Sequence, residues 1–101
     1  MTDFPAIFRV RQQFDNPRVD DVAATVESEL AKLSLGDKIQ PGQSVAITAG
    51  SRGIANINVI IRGIAEHLRS VGAEPFIVPA MGSHGGGTAE GQRKIIESYG
   101  I

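Results

Sequence analysis

Two side chains in this sequence could do chemistry where they stand. They are Arg52, in Ala49-Gly50-Ser51-Arg52-Gly53, and His84, in Gly82-Ser83-His84-Gly85-Gly86-Gly87. A guanidinium is permanently charged, and its planar fork matches a carboxylate or phosphate in two parallel hydrogen bonds. The glycines around Arg52 permit a tight turn and close approach of a ligand, and Ser51 adds a hydroxyl. The bland alternative is that Gly50 and Gly53 only form the turn while Arg52 points into solvent. His84 is the single bulky polar residue in a glycine-rich run, so it is expected to be accessible. Imidazole exchanges protons near neutral pH, which suits a general base for a hydroxyl group, and it is also a common metal ligand. Here the bland alternative is a loop histidine hydrogen-bonded to backbone.

Both loops need elements to position them, and the flanking residues supply a repeated unit. Ser44-Val45-Ala46-Ile47-Thr48 is short, apolar and β-branched, the pattern of a strand buried on both faces. After the arginine loop, Ile57, Ile60, Ile61, Ile64, Leu68 and Val71 fall on one face of a helix, and Gly72 stands where a left-handed terminal residue belongs. Pro75-Phe76-Ile77-Val78-Pro79 repeats the buried strand, the histidine loop follows, and Thr88 opens a helix carrying Ala89, Ile95, Ile96 and Tyr99. Strand, loop, helix, strand, loop, helix is the signature of parallel crossover units, so both loops should emerge at one sheet edge. Ligands of open α/β sheets bind at that edge, and an anion there would face the unpaired N–H groups opening the next helix.

Upstream, Phe8, Val10 and Phe14 alternate with Arg9, Arg11 and Gln13, which predicts an edge strand over Ile7 to Phe14. The spacing of Val19, Val22, Ala23, Val26, Leu30 and Leu33 predicts a first helix ending near Gly36, with Asp20 and Asp21 at its positive end. Residues Gly36 to Gln43 read as a connector. The expected fold is α/β: one Rossmann-like layered lobe over residues 1–101, with a short, mostly parallel sheet and three helices. Three strands are few for a sheet covered on both faces, so the lobe is expected to be part of a larger two-domain protein.

Bulk properties narrow the field of functions. The chain has 101 residues, a formal net charge of −1 and no cysteine. Nucleic-acid binding is a poor expectation, since there is no basic field or patch. Disulfides, thiolate ligands and a cysteine nucleophile are excluded. The start, Met1-Thr2-Asp3-Phe4-Pro5, lacks the regions of a secretion signal, and no apolar run reaches membrane-spanning length, so cytoplasmic residence is expected. Neither loop fits G-x-G-x-x-G, the P-loop or the G-x-S-x-G elbow. Two distant histidines do not complete a metal site. His67, in a helix beside Glu66 and Leu68, is expected at the surface or its boundary, with no role.

At Ile47-Thr48-Ala49-Gly50-Ser51-Arg52-Gly53-Ile54 and Pro79-Ala80-Met81-Gly82-Ser83-His84-Gly85-Gly86, the chain resembles the amino-terminal domain of the nickel-dependent lactate racemase family. The match is closest to a branch of uncharacterised relatives carrying these two motifs. The resemblance implies a two-domain enzyme in which a lysine-tethered nickel pincer nucleotide accepts a hydride from a 2-hydroxy acid and returns it to either face. It implies His84 as the catalytic base and Arg52 as the carboxylate clamp. Ser51, Gly82 and Ser83 are then further substrate contacts, and Gly50, Gly53, Gly85 and Gly86 lie against the cofactor. The cofactor-linking lysine and the nickel ligand are expected beyond Ile101, so this segment alone is expected to be inactive. The racemases have acidic residues and a threonine before the arginine and a proline after it. Here stand Ala49, Gly50, Ser51 and Gly53, and beside the histidine, where the racemases have bulkier residues, stand Ser83 and Gly85, which suggests a roomier pocket and a larger hydroxy acid or sugar acid. Expected partners are a hydroxy acid or another anion, the missing carboxy-terminal domain, and further copies of the chain. The competing reading is a non-catalytic anion-binding or assembly module; a weaker one is hydration or dehydration through His84.

Overall fold

A computed structural model describes residues 3–101; Met1 and Thr2, the first residues of the start read for a secretion signal, lie outside them. The element order is α1 (Val22–Ala31), α2 (Leu35–Lys38), β1 (Ser44–Ala49), α3 (Ile57–Ser70), β2 (Glu74–Pro79), a 3₁₀ turn (His84–Gly87) and α4 (Ala89–Ser98). The described residues thus form a mixed α/β unit with four α-helices, one more than expected. No helix among them is long and apolar enough to cross a membrane.

The sheet has two strands. β1 pairs with β2 in parallel, in a register running from Ser44 opposite Glu74 to Ala49 opposite Pro79. Burial alternates along β1: Ile47 and Ala49 are buried, whereas Ser44, Ala46 and Thr48 are exposed. The expectation of strands buried on both faces is therefore corrected. Ile77 meets Ile61 and Ala65 of α3 on one side and Ile96 of α4 on another, so both helices cover one face and leave Phe76 half exposed on the other. An apolar run signals a strand, but it cannot report whether a second layer of helices is present.

Helix α3 is the central element, lying against the sheet through Ile61 and Leu68 and against α1 on its outer side. Its end is a Schellman motif. Gly72, at φ +91°, donates to Arg69 O at 3.0 Å and Ala73 donates to Leu68 O at 2.9 Å. That closure turns the chain directly into β2. His67 is buried on this helix, and its Nδ1 lies 3.1 Å from Glu27 Oε1 of α1, so the surface position expected for it is corrected. The spacing along α3 could not show that a second helix covers that face.

Two upstream expectations also change. Asp21 caps α1 by accepting from Ala24 N at 3.0 Å, but the helix stops at Ala31, not near Gly36. Ser34 takes a left-handed conformation at φ 51°, and the first half of the expected connector forms the single turn α2. The predicted strand over Ile7 to Phe14 is absent: residues 3–20 carry no helix or strand, and all are exposed. A strand needs a neighbour for its backbone donors and acceptors, and among the described residues the sheet contains only β1 and β2.

Candidate functional site

Because β1 and β2 run in the same direction and end in register, the chain leaves both at one edge, with Ala80 N donating to Ala49 O at 2.8 Å. From there the loops diverge and return to each other. Arg52 Nη2 lies 2.9 Å from His84 Nε2, bringing together two residues 32 positions apart in the chain. Arginine only donates, so Nε2 accepts and the ring proton of the neutral imidazole resides on Nδ1. Arg52 is exposed and His84 half-buried.

The pair opens onto a pocket of about 410 Å³ lined by Ser51, Arg52, His84, Gly85, Ile95, Ser98 and Tyr99. Four of these are residues expected at the site. Gly53 lies behind Arg52 in a smaller adjoining cavity shared with Ile54, Ile57 and Tyr99. Gly50, Gly82, Ser83 and Gly86 do not line the pocket, so their expected ligand contacts are not among those this geometry assembles. Gly82 has a structural function instead, its carbonyl accepting from Gln92 Nε2 at 2.7 Å.

Ser98 and Tyr99 were not expected there. Tyr99 is expected from the sequence only as a residue of the last helix, yet it forms a wall of both cavities beside Arg52. The i, i+3, i+4 spacing of Ile95, Ser98 and Tyr99 places them on one helical face, distinct from that of the buried Ile96. That spacing was available in the sequence, but nothing in it tells which face turns toward the loops.

His84 is held by a tightly built loop. Gly85, at φ 64°, sits against the first turn of α4, where an added Cβ would lie 2.7 Å from Gln92 N. Thr88 caps α4 by accepting from Gly91 N at 3.0 Å while donating to Gly85 O at 3.2 Å. Across the cleft, Asn56 opens α3 with no side-chain cap, so the first N–H groups of that helix lack a side-chain acceptor.

A larger cleft of about 530 Å³ lies between α1 and the start of α3, lined by Val19, Val22, Val26 and Ile60 among others. It is apolar apart from Arg18, Thr25 and Asn56, and it offers no proton-transfer group. Chemistry therefore selects the smaller, polar pocket. Among the described residues no group of three or more histidines, aspartates or glutamates could hold a metal ion. The described residues thus supply no multidentate metal site of their own. The chain matches no family model, and no curated protein or solved structure shows significant similarity to it.

Proposed function

We propose that the chain is the Rossmann-like amino-terminal lobe of a two-domain, cytoplasmic racemase or epimerase acting on 2-hydroxy acids, in which Arg52 binds the carboxylate and His84 moves the hydroxyl proton. The observation that carries this reading is the 2.9 Å approach of Arg52 Nη2 to His84 Nε2 at the mouth of the polar pocket. A 2-hydroxy acid presents an anionic group and an ionisable hydroxyl on adjacent carbons, so its recognition calls for a cation and a base within a few ångströms of each other.

The existing contact also supplies an order of events. While the guanidinium donates to Nε2, the base is engaged. A carboxylate is the stronger acceptor for a guanidinium, since a bidentate charged pair replaces one bond to a neutral ring nitrogen. Ligand binding then draws Arg52 away and leaves the Nε2 lone pair facing the hydroxyl. As the α-carbon is oxidised, His84 takes the hydroxyl proton; when the carbon is reduced again, His84 returns it. The hydrogen leaving carbon requires a pyridinium-type hydride acceptor, for which the resemblance implies a nickel pincer nucleotide. Residues other than those of this segment would have to hold its metal.

Titration with lactate and with longer 2-hydroxy acids, followed through the imidazole resonances in NMR, tests the reading. His84 should shift, the buried His67 should not, and Arg52→Ala should abolish the shift. Stationary His84 resonances with every acid would remove the proposal's basis. Loss of optical purity of a chiral hydroxy acid, by protein carrying the hydride acceptor, would establish the reaction.

A further inference from the structure

The segment preceding α1 has the side-chain pattern of a strand and no strand to pair with. Phe4, Phe8, Val10 and Phe14 occupy even positions and are 86, 79, 69 and 78% exposed, while Arg9, Arg11, Gln13 and Asp15 occupy odd ones; the alternation is interrupted at Gln12 and begins after Ile7, itself 99% exposed. Charged and apolar rows on opposite sides of an extended chain mark a strand with one buried face. The segment also stands away from the body: the longest dimension is 71 Å and the radius of gyration 19.7 Å. A compact chain of this length would have a radius of roughly 13 Å.

The sheet has the complementary deficit, on one side only. Glu74 N donates to Gln43 O and Ala80 N to Ala49 O, so the even-numbered amides of β2 face β1. Its outer edge is formed by residues 75, 77 and 79, and Pro75 and Pro79 have no N–H to offer there. In a parallel pair the N–H and C=O of one residue point to the same side, so Ser44, Ala46 and Thr48 direct theirs away from β2. None of these three makes a backbone hydrogen bond outside β1, and all are exposed. Proline blunts the edge of β2, whereas that of β1 is a complete and unprotected ladder.

We propose that two copies of this chain exchange their amino-terminal segments, the stretch around Phe8 to Phe14 of each pairing as a strand on the outer edge of β1 of the other. Each copy brings one unpaired strand and one unpaired edge, so a reciprocal, two-fold arrangement satisfies both. The areas suffice. Phe8 and Phe14 offer on the order of 300–500 Å² of apolar side chain per copy. Two such segments, counted with the equal surfaces they cover, bury about 1,200–2,000 Å², the range of stable interfaces.

Sedimentation of the whole chain at micromolar concentration should give twice the mass of one copy. Deletion of residues 1–17 should give monomers, and Phe8→Asp should weaken association by at least about tenfold, as expected on removing a buried aromatic anchor. Ala46→Pro removes one outward N–H and should also yield monomers; should that variant lose its circular dichroism, the segment variants decide. In the dimer the amides of Ala46 and Thr48 should resist hydrogen exchange, and in the deletion variant they should not. A monomer at every concentration, a dimer that survives the deletion, or a dimer with a freely exchanging β1 edge would each overturn the proposal.

Discussion

The loop that carries Arg52 and the loop that carries His84 leave adjacent strands at the same edge, yet one is packed against its helix and the other is largely unconstrained. Around His84 the backbone of Gly85 presses on Gly91, Thr88 caps the helix, and Gln92 ties down Gly82 O. Around Arg52 an added Cβ at Gly50 would meet only Ile54 at 3.7 Å, one at Gly53 would meet nothing, and Asn56 makes no capping bond. A base must be aimed, whereas a charged clamp on a long side chain can follow its ligand. The roles proposed for His84 and Arg52 call for that difference in packing.

Substitution of the packed loop should produce the largest effect. A Cβ at position 91 would overlap the carbonyl of Gly85, so Gly91→Ala is expected to destabilise the fold by about 3 kcal/mol in urea denaturation. An unchanged midpoint would break the contrast. Arg52→Ala should sharpen it from the other side: stability within about 0.5 kcal/mol of the parent, since the residue is exposed. Its affinity for a 2-hydroxy carboxylate should fall by roughly 1.5–3 kcal/mol, the value of a hydrogen bond to a charged group, measurable by titration calorimetry.

The two helix openings give a finer comparison. Thr88→Ala removes a formed cap and should cost about 1 kcal/mol. Asn56→Gly removes no bond and replaces a left-handed residue at φ 58° with the one that tolerates it best, so thermal unfolding should show a change within about 0.5 kcal/mol. Equal losses in the two variants would mean that the helix openings do not differ as described.

Much of this arrangement was legible in local signals. Asp21 and Thr88 are capping residues by type and position, and Gly72 marks the end of α3; each acts through bonds within a few residues of itself. The repeated strand, loop and helix implied parallel strands and hence a common edge, which the register of β1 with β2 shows. Readings that depended on a distant neighbour fared worse. The pattern at Phe8 to Phe14 is that of a strand, but among the described residues no third strand lies in this sheet. His67 lacked any sign of the carboxylate of Glu27, 40 positions away, that accompanies its burial. Tyr99 is a residue of the last helix by spacing and of the pocket wall by packing.

By itself, then, the sequence determined the order of elements from β1 onward, the helix openings at Asp21 and Thr88 and the close of α3 at Gly72, and which residues carry a permanent charge or a transferable proton, because these follow from covalent structure and from contacts one turn apart. Only the tertiary structure decided that one sheet face stays bare, that α4 turns Ser98 and Tyr99 toward the loops, and that Arg52 and His84 approach to 2.9 Å. The reason is physical. Such approaches depend on how helices settle on a sheet, a balance summed over many weak contacts that no short stretch of residues encodes.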